Sequence, residues 1–218
     1  MASSIDKIRL VERDYIVFSE IERWRVCQSR HLKCLAGFPS QRTCDRRLKK
    51  LLEAGYISRK KILYGIPYLY FLGKKACLIV NTPTNRVSKI RIEQIKHDID
   101  VLDTAIYFHS KHNISYTDMT TEKQLHSADG FSNRHHRPDF IFLQNDSTIC
   151  VEIELSLKSR TRFENNISEN FKNYDFQAWI VSQNTPKIRK ILLENQSLYP
   201  NIKIFSLEEV KAFVKELD

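Results

Sequence analysis

The chain has 218 residues, of which 42% are hydrophobic and 28% charged, a balance ordinary for a globular protein. That length suits one large domain or two small ones, and no run of about 18 apolar residues is available to span a membrane. The start, Met-Ala-Ser-Ser-Ile-Asp-Lys, lacks a signal-peptide core, so a cytoplasmic protein with no membrane partner is expected.

The five cysteines, Cys27, Cys34, Cys44, Cys77 and Cys150, are odd in number and form no Cys-x-x-Cys pair, which predicts free thiols in a reducing compartment. Cys27, His31, Cys34 and Cys44 are a conceivable zinc set, but Cys44 falls on the apolar face of a predicted helix. Charge is distributed unevenly. Residues 1–88 hold 18 Lys and Arg against 7 Asp and Glu, or +11, whereas residues 89–218 hold 17 against 19, or −2. A basic first part joined to a near-neutral second part points to a polyanionic partner for the first, most simply nucleic acid.

Residues 11–25 put Tyr15, Phe18, Ile21 and Trp24 close to helical spacing, and residues 28–35 read as a second, shorter helix stopped by Gly37 and Pro39. Ser40 offers an N-cap for a third helix over 41–54, closed by Gly55. On that helix Cys44, Leu48, Leu51 and Leu52 share one side, with Arg42, Arg46 and Lys49 nearly opposite. Residues 56–72 then form two β-prone runs rich in Tyr and Lys that turn near Gly65. Three helices followed by a hairpin predict a winged helix-turn-helix, with the third helix in the major groove and the hairpin along the backbone or minor groove. Candidate DNA contacts are Arg42, Arg46, Lys49 and Lys50 on the helix and Arg59, Lys60 and Lys61 on or near the wing. The plainer reading is a protein-binding winged helix with a solvated basic face.

A short helix or strand over 74–80 closes this domain (1–80), and residues 81–88 read as a linker. The second domain (89–218) opens with a long helix over 90–109, striped by Ile92, Ile95, Ile99, Leu102 and Ile106. A strand is expected near 114–119 and a polar, mobile loop over 127–136, where His135 and His136 are expected to be solvated, the alternative being contact with DNA. After residue 158 the pattern alternates helix (160–174), strand (177–182), helix (186–195), strand (202–205) and helix (207–217).

Between these lie two runs rich in β-branched and aromatic residues, 137–143 and 148–158, flanking Gln-Asn-Asp-Ser. This is the sequence form of a tight antiparallel hairpin. If Asn145 and Asp146 make a two-residue loop, Gln144 pairs with Ser147, and stepping outward sets Asp139 opposite Glu152, with Glu154 on the same face as Glu152. Opposed carboxylates repel, so this face wants a cation, and hard oxygen ligands suit Mg2+ or Mn2+ better than zinc. The bland alternative is an edge hairpin with one solvated acidic face.

The order Pro138-Asp139, strand, turn, strand, Glu152-x-Glu154 resembles the PD-(D/E)xK nuclease superfamily, and the predicted elements follow its αβββαβ, restriction-endonuclease-like order within an α+β or α/β chain. Glu154 stands where that pattern has lysine; Lys158, at even spacing from it, is the candidate replacement. Over nearly its whole length the chain resembles the plasmid replication-relaxation family, which joins an N-terminal winged helix to a nuclease-like domain. The residues carrying this are Glu12-Arg13-Asp14, Arg46-Arg47-Leu48-Lys49-Lys50-Leu51, Glu53-Ala54-Gly55-Tyr56-Ile57, Tyr70-Phe71-Leu72-Gly73, His97-Asp98, Thr121-Glu122-Lys123-Gln124-Leu125, Pro138-Asp139 and Val151-Glu152-Ile153-Glu154-Leu155 with Lys158-Ser159.

The resemblance implies duplex DNA as partner; a relaxase or replication protein is a candidate further partner, and a second copy of the chain is one only because winged-helix proteins often dimerise. It also implies a site using Mg2+ or Mn2+. Asp139 and Glu152 would hold the metal, Glu154 would orient water and Lys158 would stabilise phosphorane charge. Glu122 and His97 would support the site. The function expected is that of a bacterial, nucleoid-associated protein of a plasmid, phage or integrative element acting in replication, relaxation or transfer. The alternative is a transcriptional regulator whose nuclease-like domain has lost catalysis.

Overall fold

The computed structural model describes residues 8–62, 64–82, 92–130, 136–156 and 159–217. By its internal contacts the chain divides into two compact units, residues 1–102 and 103–217. The expected linker at 81–88 lies mostly outside the described residues, and the division falls within a long helix.

Unit 1 begins with α1 (Glu12–Trp24), α2 (Ser29–Leu35) and α3 (Gln41–Glu53). In α1 the buried side chains are Asp14, Val17, Phe18, Ile21 and Trp24. Tyr15, expected on that stripe, is 46% exposed, because the stripe is rotated to bring Asp14 inward onto Arg47. Ser40 caps α3 by accepting from Thr43 N at 3.2 Å. The far end closes as a Schellman motif: Tyr56 N donates to Leu51 O (2.9 Å) and Gly55 N to Leu52 O (3.0 Å), with Gly55 at φ 76°, a left-handed value that glycine adopts without a Cβ penalty.

Strands β1 (Ile57–Lys60) and β2 (Leu69–Leu72) pair antiparallel, Ile57 opposite Leu72 and Lys60 opposite Leu69. Cys27 adds a single bridge to Tyr70. The segment 74–80 resolves as the helix α4 (Lys74–Ile79). At Gly73 the backbone passes so close to the α3 terminus that a Cβ would stand 2.5 Å from Gly55 O. The unit's core joins Val26, Leu69 and Phe71 to Ile95 and Ile99 of α5 (Ile92–His112), with Ile62 and Ile66 packed against it.

Unit 2 is a mixed five-stranded sheet in the order β3 (Met119–Thr121), β4 (Phe140–Gln144), β5 (Ser147–Glu154), β6 (Phe176–Val181), β7 (Ile202–Ser206). The first two pairings are antiparallel and the last two parallel. The parallel strands need crossovers, and α7 (Arg160–Asn173) and α8 (Pro186–Asn195) supply them. Phe163 and Ile167 of α7 and Ile188, Ile191 and Leu192 of α8 pack with Trp179, Val181 and Ile202 on one sheet face. On the other face Phe108 of α5 meets Phe140, Phe142 and Phe205, and Tyr107 meets Phe213 of α9 (Leu207–Glu216). With both faces covered, β6 reads as an unbroken buried run from Gln177 to Val181.

Two expectations are corrected in this unit. The strand sought at 114–119 begins only at Met119, since Tyr116–Asp118 forms a 3-10 turn capped by the Ser115 hydroxyl. The polar segment from 127 is not a loop throughout: α6 (Glu122–Asp129) occupies its start. That helix is held by a reciprocal cap in which Thr121 N donates to Gln124 Oε1 (2.9 Å) and Gln124 N to Thr121 Oγ1 (3.4 Å). Among the described residues no helix is long and apolar enough to cross a membrane.

Candidate functional site

The acidic centre is built on the β4–β5 hairpin. Asn145 and Asp146 have φ of 50° and 61°, the two positive values that a type I′ turn needs and that Asn and Asp tolerate. The ladder runs from Gln144 opposite Ser147 to Phe140 opposite Val151. One step further Asp139, donating its amide to Val151 O at 3.1 Å, stands across from Glu152. Its carboxylate Oδ2 accepts from Ile153 N at 2.7 Å, so a side chain takes over where the ladder's own carbonyls end.

Glu152 is 8% exposed. Its Oε1 lies 2.6 Å from His136 Nε2 and accepts from Asn170 Nδ2 of α7 at 2.8 Å. Burial raises the Glu152 pKa above its ordinary value, with Asp139's charge adding to it and the His136 and Asn170 bonds working against it. For His136 burial pulls downward, but the Glu152 hydrogen bond and the charges of Glu152 and Asp139 prevail, and its pKa is raised above 6.5. The expectation of a solvated His136 is therefore corrected: the ring is half-buried against a carboxylate. Next to it, Arg137 Nε donates to Asp129 Oδ2 at 2.5 Å.

The other expected site residues are less closely joined. Glu154 is half-buried, and its Oε1 accepts from Ser156 N at 3.3 Å. Glu122 reaches the Asp139 segment by its backbone, donating to Asp139 O at 2.8 Å, while its carboxylate stands 3.6 Å from His126 one turn on. His97 belongs to unit 1, half-buried beside Asp98. Lys158 and His135 lie outside the described residues. Asn170 and Arg162 were not anticipated; the charge of Arg162, in the first turn of α7, acts on His136. Asn170 carried a readable signal, since it continues the stripe Phe163, Ile167 at helical spacing and a polar residue there must find a buried partner.

In unit 1, Arg42, Arg46, Lys49 and Lys50 are exposed on α3, whereas Cys44, Leu48 and Leu51 are buried. Lys49 sits 3.9 Å from Glu53 in an exposed pair. Arg47 turns inward: its Nε donates to Asp14 Oδ1 at 2.7 Å, and its Nη2 donates both to Asp14 Oδ2 and to Arg9 O, the latter at 2.9 Å. On the hairpin Arg59, Lys60 and Lys61 are exposed; Arg59 lies over the Tyr68 ring at 4.4 Å.

The residues considered for zinc serve other ends. His31 Nδ1 accepts from Gln28 N at 3.1 Å as a helix cap, Cys27 and Cys44 are wholly buried, and all five cysteines are free thiols. Burial pushes the Cys44 thiol up to about 12. Among the described residues no group of three or more His, Cys, Asp or Glu side chains is gathered as a metal cage. No protein-family model matches the chain, and neither does any curated protein or solved structure.

Proposed function

We propose that the chain is a DNA-binding protein of a mobile genetic element, with unit 1 acting as a winged helix and unit 2 as a PD-(D/E)xK-like nuclease domain. The observation that carries the DNA reading is the division of labour on α3. Its Cys44, Leu48 and Leu51 are buried, and four cations, Arg42, Arg46, Lys49 and Lys50, stand in solvent, ahead of a hairpin bearing three more. A helix presented in this way suits the major groove, with the hairpin on the backbone. Substituting Arg46 by Ala is expected to weaken duplex binding in a gel-shift assay, and unchanged affinity would sink the assignment.

For unit 2 the support is the meeting of Asp139 and Glu152 at the end of one hairpin. Two carboxylates suit Mg2+ or Mn2+, which keep several waters and share their remaining positions with substrate phosphate. When bound, such an ion polarises a phosphate oxygen and acidifies water. Asp139 and Glu152 would hold it, Glu154 would orient water, and Glu122 and Lys158 would support the site. The test is supercoiled plasmid incubated with Mn2+ or Mg2+ beside a Glu152→Ala control. Metal-dependent nicking lost in the control supports a nuclease.

A second reading, a regulator whose unit 2 serves for dimerisation or for binding a relaxase or replication protein, has its own observation. Glu152 Oε1 is already engaged by His136 and Asn170, and Glu154 occupies the lysine position of the motif. Absence of both cleavage and calorimetric metal binding favours that regulator.

A further inference from the structure

We propose that the β1–β2 hairpin of unit 1 is a stacking platform for unpaired DNA bases, with Tyr64 as the inserting ring. This rests on the DNA-binding reading of unit 1 and deepens it, because it names the form of DNA the hairpin prefers.

Tyr64 is 101% exposed, between two residues that pack inward. Ile62 and Ile66, two residues to either side, pack against the core of Val26, Leu69, Phe71, Ile95 and Ile99. Gly65, at φ 77°, turns the chain between Tyr64 and Ile66 in a conformation open to glycine. An anchored turn thus holds one aromatic ring outward at its tip.

One cation stands beside the ring and two more lie along the same hairpin. Lys61 Nζ lies 6.0 Å from the Tyr64 centroid, Lys60 is exposed, and Arg59 lies over Tyr68, itself 44% exposed. Arg59 also stands directly across the ladder from Tyr70, which fixes its guanidinium beside the aromatic surface. Aromatic rings interleaved with cations are what single-stranded nucleic acid requires: the π-faces accept bases of any sequence and the charges follow the phosphates. The Tyr64 ring stands open to solvent beside Lys61, an arrangement that suits a base stacked on the ring with its phosphate on the cation. Paired bases in an intact duplex hide their faces, so the platform gains only where the duplex is opened, as at a bubble, fork or nick.

The experiment uses the full chain and two labelled DNAs, a perfect duplex and the same duplex carrying an internal bubble of unpaired thymines, read by fluorescence anisotropy. The native chain is expected to bind the bubble roughly ten-fold more tightly, the scale of one base stacked on one ring. Tyr64→Ala should erase that margin while leaving duplex affinity unchanged, and Tyr64→Phe should keep it. Because Tyr64 is fully exposed, these variants fold, which Trp24 emission in a Trp179→Phe background checks. Equal affinity of the native chain for both DNAs overturns the inference alone, as does a Tyr64→Ala loss that is the same on both. Failure to bind either DNA removes the winged-helix reading and the inference with it.

Discussion

Arg47 and Arg46 are adjacent on α3, and the structure gives them opposite duties, which a paired substitution tests. Asp14 is fully buried, and Arg47 retains 20% of its side-chain exposure. Removing one partner of a buried ion pair costs about 3–5 kcal/mol, because the other is left uncompensated. Arg47→Ala strands a carboxylate that cannot reach water and keeps, among the described residues, the Val11 N donor at 2.8 Å, so its cost falls at about 4–5 kcal/mol. Asp14→Ala strands a guanidinium that can reach water and loses a helix cap of about 1 kcal/mol, and its total stays near 3 kcal/mol. Against a typical stability of about 5–15 kcal/mol, either change is severe. The chain's two tryptophans, Trp24 and Trp179, lie in different units, so in a Trp179→Phe background urea unfolding followed by fluorescence reports unit 1 alone. Arg46→Ala should shift that transition by less than about 0.5 kcal/mol, yet weaken DNA binding and lower its salt slope by about 1. Arg47→Ala should do the reverse, with affinity preserved once corrected for the folded fraction. An Arg47→Ala cost below about 1 kcal/mol, or one smaller than that of Asp14→Ala, would refute the reasoning.

Three further outcomes follow from the same geometry. Gly73→Ala drives a Cβ to 2.5 Å from Gly55 O and 2.8 Å from Tyr56 O; because both are backbone atoms, about 1–3 kcal/mol of unit 1 stability should be lost, seen as a lower Trp24 unfolding midpoint. Glu208 accepts from Ser182 Oγ (2.5 Å), Ser206 Oγ (3.0 Å) and Gln183 N (3.1 Å); although its partial burial works in the other direction, these bonds lower its pKa from 4.5 to about 2. Its contribution, on the order of 1 kcal/mol after solvent screening, is therefore complete above pH 4.5 and lost as pH falls toward 2, so the stability gap between the native chain and Glu208→Ala should close over that window in acid titration. For His136 the sign is opposite: with its pKa raised above 6.5, the ring's favourable pairing with Glu152 is complete below 6.5 and is lost as pH rises through the folded value. Unfolding of unit 2, followed by Trp179 in a Trp24→Phe background, should show that decline, and His136→Gln should remove it.

The hairpin register was legible because two local rules agree. A turn with both central residues at positive φ is made mostly from Asn, Asp and Gly, which marks Asn145-Asp146, and alternation then leaves one register that buries Phe140, Phe142 and Val151. The third helix was legible for a similar reason, as Ser40 and Gly55 mark its ends and its cations avoid its leucines. Where the reading failed, the cause was distant in sequence. Asp14 displaces Tyr15 from the buried stripe through a partner 33 positions away, which no window of helical periodicity contains. Helix α6 has Leu125 as its one large apolar side chain and so shows no stripe; its signal was the capping box Thr121-x-x-Gln124. His136 sits in a polar run that by composition should be solvated, and only the folded chain shows it reaching Glu152 16 positions on.

That last contact bears on how the acidic centre manages its charge. From the register alone, opposed carboxylates demanded an external cation. The chain already answers part of that demand from within: Ile153 N serves Asp139, while His136 and Asn170 serve Glu152. Each donor satisfies a lone pair without sealing the site, since a carboxylate offers about four acceptor positions. A cation bridging Asp139 and Glu152 can therefore use the remaining lone pairs, but it must do so beside an imidazole whose pKa is raised and within reach of Arg162's charge. Like charges at that distance oppose its entry. Nuclease and regulator thus differ in a balance: whether phosphate and cation together outbid the donors already present. Asn170→Ala tilts that balance in a known direction, because it removes a neutral donor without adding or deleting charge.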